Sequence, residues 1–327
     1  MKVGKVMTMA GCMLAVVALA QWNEPFAQYI DALKSSDRSA ESVSTLAAAV
    51  VDEQLLGVIQ AEAEKRRIPP IDAKVDRVWK AIPGYNGLEI DIDRTYEANA
   101  GRPAGEPLQL FYKETVPKIG LNDLGAQPTY RGNPNKRMVS LMINVAWGNE
   151  YIEPILNTLK REKVKATFFL DGSWLNKYRD LAQQIQEAGH EMSNHAYSHP
   201  NMSQLSRNAQ LREIEKTQQL LESVLGVKDN RWFAPPSGDF NQLTVQIAHN
   251  LGLRTVLWTI DTIDWRKPLP STIVSRVRNK LEPGALILMH PTASTRDALA
   301  DVISVIKSKG YQLGTVSETL SSARVDS

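Results

Sequence analysis

Two histidines four residues apart, His195 and His199, are the side chains best suited to bind a metal ion in this sequence. Neutral imidazoles are strong ligands for zinc, and two of them make up half of a tetrahedral zinc site. The pair follows a short segment that predicts a strand, and one turn of helix after that strand would place both rings on one side. The spacing therefore predicts a divalent metal site, with zinc as the expected ion.

A second pair, Asp264 and His290, has the chemistry of an acid–base catalyst. A carboxylate that accepts the Nδ1 proton of an imidazole fixes the tautomer and raises its basicity, and such an imidazole can protonate a leaving amine. Taken singly, Asp264 could equally cap a helix and His290 could be a core histidine. Their spacing relative to the other segments described below favours a catalytic pair.

The elements that must position these residues begin after Met138, where apolar strands alternate with helices of a dozen or more residues. This alternation predicts parallel strands. We predict strands at 139–145, 166–170, 191–194, 231–234, 255–259 and 285–289, with a last short strand near Tyr311, and helices at 150–162, 174–188, 206–226, 271–281 and 296–309. The α/β pattern predicts a distorted, incomplete (β/α) barrel of about seven parallel strands, whose reacting groups gather at the carboxyl ends of the strands.

A small α/β module is predicted before the barrel. Helical spacing of apolar residues predicts one helix over 42–65, which Pro69 and Pro70 end. A short helical run around Val78 and strands at 88–92 and 108–112 follow. We therefore divide the chain into a signal peptide at 1–20, this module at 21–117, a Gly-, Pro- and Asn-rich linker at 118–137 and the barrel domain at 138–320.

The first twenty residues are typical of a secretory signal. Lys2 and Lys5 precede an apolar run that ends in Ala-Leu-Ala at 18–20 and is too short to cross a bilayer comfortably. Cys12, the only cysteine, lies inside this run with most of the apolar residues after it, so we expect no lipid there. The mature chain would be secreted or cell-surface, with no disulfide, no thiol catalysis and no membrane span.

Protein recovered from a secreting host is expected to begin at Gln21, because the Ala-Leu-Ala triplet closes a short apolar run behind two lysines. Mass spectrometry of the intact protein measures this directly. A chain that keeps Met1, or a lipid on Cys12, would contradict the prediction.

Composition and charge predict no nucleic-acid partner. The chain has 327 residues and 43% hydrophobic content, which is ample for buried cores. It carries 38 basic and 36 acidic side chains, so loss of Lys2 and Lys5 with the signal would leave 36 of each. A charge near zero gives no electrostatic attraction to nucleic acid or an anionic membrane.

Five short segments occur in the order and spacing of one known active site. They are MINVAWG at 142–148, HAYSH at 195–199, FAPPSG at 233–238, DTIDW at 261–265 and LILMH at 286–290. Together they resemble the motifs of polysaccharide deacetylases, the NodB-homology or carbohydrate esterase family 4 (CE4) enzymes. The Trp-Gly at 147–148 resembles a sporulation-associated subgroup, YlxY-like or PdaB-like.

The resemblance implies that three functional residues have been replaced. Asn144 stands where the family has its general base Asp, Val145 where it has a metal-binding Asp, and Ala234 where an Arg supports the base. An amide does not accept a proton from bound water near neutral pH, and an isopropyl group cannot bind a metal. The resemblance therefore implies a weakly bound metal and impaired catalysis, as in a pseudoenzyme.

Other site residues follow from the resemblance or from their position. Trp265, Leu286 and Leu288 would wall an acetyl pocket, and aromatic rings near the strand ends could stack on sugars, namely Trp147, Tyr197, Trp232 and Trp265. Two or more of these aromatic residues would instead belong to the core. Acidic residues that could replace the missing base are Glu150, Asp171, Asp239 and Asp261.

These observations leave three functions open. The leading one is a secreted N-deacetylase of N-acetylglucosamine polymers such as peptidoglycan, with weak or lost activity. The second is a non-catalytic glycan-binding or scaffolding protein of the cell surface. The third is a metal hydrolase with another substrate that uses Asp171 or Asp239.

Overall fold

A computed structural model describes residues 53–103 and 106–325, which group into two compact units. The smaller unit contains a helix at 53–66 and the helix Ile92–Asn99, whose N-terminus is capped by Asp91. The larger unit comprises residues 67–89 and those from 112 onward. The predicted signal peptide and the first part of the predicted helix at 42–65 lie outside the described residues.

The larger unit opens with short antiparallel strands rather than with the helical run predicted around Val78. Strands β1 (Lys74–Asp76) and β2 (Lys80–Ile82) form a hairpin, in which Asp76 Oδ1 accepts the backbone N–H of Val78 and of Trp79 at 2.8 Å each. This side-chain bond favours a turn over a helix. Strand β3 (Gly87–Ile90) pairs with β4 (Tyr112–Thr115), so the strand predicted at 108–112 lies further along the chain.

A curled sheet of parallel strands forms the rest of this unit and confirms the predicted incomplete barrel. Its strands are β5 Met138–Val145, β6 Thr167–Leu170, β7 Glu191–Asn194, β8 Trp232–Phe233, β9 Arg254–Thr255, β10 Ile260–Asp261, β11 Leu286–Met289 and β12 Gln312–Gly314. Their order in the sheet is β10-β11-β5-β6-β7-β8-β9, and β12 pairs with the start of β5. The strand predicted at 255–259 is wrong except at Thr255, because β9 ends there and the next strand, β10, begins only at Ile260.

Helices cover the outside of this sheet. They span Asn149–Glu162, Gly172–Lys177, Arg179–Glu187, Arg207–Leu225, Gln242–Asn250, Pro270–Lys280 and Ala293–Ser308. A further helix, Val316–Leu320, instead packs Val316 and Leu320 against residues inside the barrel. The helix predicted at 174–188 is broken at Tyr178, and Gln242–Asn250 was not predicted. No helix among the residues described here is long and apolar enough to cross a membrane.

Residues 118–137, predicted as a linker, pack against the barrel instead. The backbone N–H of Thr129 donates to Thr255 O at 2.9 Å, and Thr129 O accepts the N–H of Leu257 at 2.8 Å. Arg131 forms a second β-bridge, antiparallel, with Ala285. Because buried backbone groups need partners, this Gly- and Pro-rich stretch is held as part of the barrel unit.

Alternation along β5 separates the inside of the barrel from its outer core. Ile143 and Val145 pack with residues of the surrounding helices. Met142 packs instead with Phe169 of β6 in a separate cluster inside the barrel, the inner cluster, whose other buried members are Trp232, Ala234, Val256, Leu286, Val316 and Leu320. Asn144, two residues after Met142, therefore faces the barrel interior at the carboxyl end of its strand.

Candidate active site

Asp264 and His290 form a buried pair at the carboxyl ends of β10 and β11. Asp264 is fully buried, and its Oδ1 accepts a hydrogen bond from His290 Nδ1 at 2.8 Å. Its Oδ2 accepts the His290 backbone N–H and the Thr295 hydroxyl, both at 2.6 Å. Burial alone would raise the pKa of Asp264, but these hydrogen bonds and the charge of His290 lower it overall. The carboxylate thus orients the ring and leaves Nε2 as its free nitrogen.

Trp147 lies against this histidine. Its ring stacks on His290, with centroids 5.3 Å apart and planes 18° apart, and meets His199 edge-on at 6.3 Å. Gly148 makes this contact possible, because its φ of +82° is accessible to glycine and a Cβ there would come within 1.9 Å of Pro291 O. The Trp-Gly sequence therefore fixes the indole beside the site.

The two histidines of the HAYSH segment meet, but not on a helical turn as predicted. Their ring centroids are 5.2 Å apart in an irregular loop, where Ala196 and His199 adopt φ of 60° and 56°. Non-glycine residues rarely adopt this conformation, and such strain is often found at functional sites. His195 Nδ1 bonds to Ala234 O at 2.7 Å, which leaves Nε2 available to a ligand.

The charge state of this pair is set by burial. Burial lowers the pKa of His195 to about 3, and the charge of His199 acts in the same direction. Burial also lowers the pKa of His199, while the charge of Asp171 opposes that shift. Both rings are therefore neutral near pH 7, which is the form that binds metals.

Asn144 lies 2% exposed, and its Oδ1 has no hydrogen-bond partner among the described residues. A buried amide oxygen without a partner is costly and calls for a functional explanation. Val145, next in sequence, points into the outer core. Ala234 is fully buried in the inner cluster, and Arg231 is exposed at the other end of β8. None of these side chains supplies a carboxylate or a cation at the strand ends.

The acidic residues considered as replacements for a base have different environments. Asp239 accepts bonds from the Ser203 backbone and hydroxyl, and Asp261 accepts the Ile263 N–H, so both brace loops. Asp171 is different. It is 2% exposed, its Oδ1 accepts from Trp174 N–H and the Ser173 hydroxyl, and its Oδ2 has no hydrogen-bond partner in the part of the chain that the structure describes.

The predicted substrate-binding side chains do not all converge. Trp265 is 47% exposed and Trp147 44% exposed, whereas Leu286 and Leu288 are buried on β11. The Tyr197 ring lies under Lys216 Nζ at 3.4 Å, on the helix side of its loop. Trp232 belongs to the inner core, where its Nε1 donates to Ser317 Oγ.

Comparison with known proteins identifies the family to which this chain belongs. Residues 131–256 match the polysaccharide deacetylase family. The chain is 41% identical to the uncharacterized protein YlxY of Bacillus subtilis over 313 residues, 95% of each chain. It is 32% identical to a Bacillus cereus peptidoglycan-N-acetylglucosamine deacetylase over 57% of this chain and 70% of that one. The chain belongs to the polysaccharide deacetylase family.

Solved structures of this deacetylase family include a similar protein described as a pseudoenzyme. BA3943 of Bacillus anthracis, a CE4 family pseudoenzyme, is 44% identical, with a TM-score of 0.75 over 83% of this chain and 96% of that one. A BA3943 mutant described as having restored enzymatic activity is 42% identical, with a TM-score of 0.75 over 83% and 99% of the two chains.

Deacetylases of this family are generally metal dependent, and the imidazoles of this chain fit a divalent cation. His195 presents a free Nε2 beside His199, and the unpartnered Asp171 oxygen is the kind of atom that a cation satisfies. Within residues 53–103 and 106–325, however, no three His, Cys, Asp or Glu side chains are already gathered in a group that could hold a metal. The structure thus provides two ligands and leaves the third to be assigned.

Zinc binding is expected to be weak and to depend on His195. Calorimetry on metal-free protein should give a binding heat that disappears in His195→Ala, because one of the two imidazole ligands is lost. The matched control is His249→Ala, which removes an exposed histidine and should leave the titration unchanged. Tight stoichiometric binding that survives His195→Ala would mean that the ion sits elsewhere.

Proposed function

We propose that this protein is a secreted polysaccharide N-deacetylase-type hydrolase with weak activity, acting on N-acetylglucosamine units of a polymer such as peptidoglycan. The observation that carries the proposal is the buried Asp264–His290 pair, complete in its hydrogen bonds, beside a strand end that has Asn144 instead of a carboxylate. The similarity to a peptidoglycan deacetylase supports the substrate class. The signal-like first twenty residues support export.

The acid side of the reaction is assigned to His290. Because Nδ1–H donates its hydrogen bond to Asp264, Nε2 is the nitrogen that exchanges a proton: it takes one up to form the imidazolium and then delivers it to the leaving amine of the sugar. A divalent cation, when bound by His195 and His199, would polarise the amide carbonyl and activate water. The pair is fixed in place before substrate arrives, since four hydrogen bonds hold Asp264.

Weak activity is explained by the residues that replace the general base and its supporting groups. By family resemblance Asn144 occupies the position of the general base, Val145 that of a metal-binding carboxylate and Ala234 that of the supporting arginine. Loss of a general base typically costs about a hundred- to ten-thousand-fold in rate. The loss of the arginine is consistent with the loss of its partner, since a cation without a carboxylate would be unpaired in a buried site.

Aromatic and apolar side chains around His290 are assigned to substrate contact. Trp265 and Trp147 expose nearly half of their surface, which suits rings that cover the apolar face of a sugar. Leu288 on β11, two residues before His290, is assigned to the apolar wall. Leu286, predicted for the same role, is in register with Ser140 and packs with Val316 and Leu320 deeper in the barrel. Tyr197, with its ring against Lys216, would contact only a chain that extends beyond this cleft.

A non-catalytic glycan-binding protein is the second candidate, and the two exposed tryptophans beside a site without a base favour it. Both candidates bind the polymer, but only the hydrolase needs His290 for chemistry. Scaffolding at the cell surface would use the same cleft.

Calorimetric titration with N-acetylglucosamine oligomers and with the matching glucosamine oligomers tests the shared part of the proposal. We expect the acetylated oligomers to bind and the deacetylated ones to bind less tightly, because the apolar wall has no acetyl group to cover. Equal affinity for the two series, or none for either, would refute an acetyl-recognising cleft. A parallel titration with soluble peptidoglycan fragments addresses the polymer.

A further inference from the structure

Asp171 directly neighbours the position where the family's metal-binding carboxylate is missing. It follows the last residue of β6, and its backbone N–H donates to Val145 O at 2.9 Å, which continues the ladder between β5 and β6. β6 lies between β5 and β7, and the backbone N–H of His195 in turn donates to Leu170 O at 3.0 Å. Asp171 therefore sits between position 145 and the histidine pair.

The side of the sheet on which Asp171 emerges follows from strand alternation. Phe169, two residues earlier, packs in the inner cluster and is in register with Asn144. Asp171 leaves the backbone on that same inner side. Asn144 Oδ1 and Asp171 Oδ2, two buried oxygens that no described residue contacts by a hydrogen bond, thus lie at the carboxyl ends of adjacent strands.

The two oxygens of Asp171 have separate roles. Oδ1 caps the helix Gly172–Lys177 by accepting from Trp174 N–H and also accepts the Ser173 hydroxyl. Capping needs only one oxygen, and an amide or hydroxyl would cap as well. Burial raises the pKa of the Asp171 carboxyl, because its charged form is costly there, and a buried oxygen that accepts no hydrogen bond is costly unless a cation or donor meets it.

We propose that Asp171 is the third protein ligand of a divalent-cation site completed by His195 and His199, so that β6 supplies the carboxylate that β5 has lost. Two imidazoles and one carboxylate are an established ligand set for zinc. The Asp171 carboxylate turns about a soft χ2 torsion, and it lies close enough to His199 for its charge to act on that ring. The proposal deepens the proposed function and rests on the cleft assigned there.

Metal titration of two variants that keep the helix cap tests this assignment. Asp171→Asn and Asp171→Ser replace the carboxylate with groups that cap helices about equally well. Calorimetry with Zn²⁺ and visible absorption with Co²⁺ should show an affinity at least about tenfold lower than in the parent protein, with an altered Co²⁺ spectrum. The matched control is Asp91→Asn, the same change at the cap of the helix Ile92–Asn99, which should leave both unchanged.

The outcomes separate this assignment from the function on which it rests. Parent-like Zn²⁺ affinity and Co²⁺ spectra in both folded Asp171 variants would overturn it, and so would a parent protein that binds neither ion. If the parent still binds acetylated oligomers in those cases, the proposed function stands without this ligand. If Asp171 governs metal affinity but no oligomer binds and no acetate is released, the metal assignment holds and the proposed substrate fails.

Discussion

Asn144→Asp combined with Ala234→Arg is expected to raise acetate release from N-acetylglucosamine oligomers by at least about tenfold. The first change installs a proton acceptor with almost no change in volume at a buried position whose oxygen has no partner. Burial alone would raise the pKa of the new carboxylate, and the neighbouring cation would lower it and keep the group ionised. We therefore expect Asn144→Asp alone to gain less at neutral pH and to need higher pH.

Two further variants decide whether such a gain reflects the assigned chemistry. Addition of His290→Ala should abolish the gain, since acid and base serve one reaction. Asn157→Asp, the same change at an exposed position on the helix Asn149–Glu162, should give none. Unchanged acetate release from a folded double variant would favour the glycan-binding protein. High activity in the unmodified protein would show that another carboxylate already acts as base.

Asp264→Asn is expected to cost roughly 3 kcal/mol of folding stability near neutral pH, the cost of removing one partner from a buried hydrogen-bonded pair. Four donors converge on the carboxylate, from the His290 ring and backbone, from Thr295 and, at 3.4 Å, from Thr292. An amide can accept at one end only, and its NH₂ group would face a donor at the other. Urea unfolding followed by circular dichroism measures the difference.

The pH dependence of this cost has a defined sign. Because the pKa of Asp264 is lowered from its ordinary value of 3.8, its contribution is present above that pH and is lost as the pH falls through the folded value. The gap between parent and variant should therefore narrow below about pH 4. Asp297→Asn, which removes an exposed partner of Arg296, should change little at any pH. Equal stability of the parent protein and Asp264→Asn near neutral pH would mean that the pair is not pre-formed.

The barrel was predictable because β5, β6 and β11 are nearly continuous apolar runs, which only a sheet covered by helices can bury. β7 was placed to the residue, and β5 and β11 to within one. The hairpin around Val78 was missed because one side-chain bond from Asp76 overrides a helical pattern. The 118–137 stretch carries turn residues that are typical of a linker, and only its tertiary hydrogen bonds reveal that it packs.

The site was predictable in its motifs and not in its geometry. Asp264 and His290 meet as expected, because the ends of neighbouring parallel strands lie side by side. The His195–His199 contact depends on strained loop backbone that no spacing rule reveals. Asp171 could be named from sequence as one acid among four. Its unpartnered oxygen, the signal that singles it out, exists only in three dimensions.

The most direct measurement is acetate release by the unmodified protein beside His290→Ala, over long incubations with N-acetylglucosamine oligomers and peptidoglycan. A weakened deacetylase should release acetate slowly, and the rate should fall to the buffer level in His290→Ala while oligomer binding persists. Release that is the same in both proteins would contradict hydrolysis at this site and leave a protein that binds glycans without cleaving them.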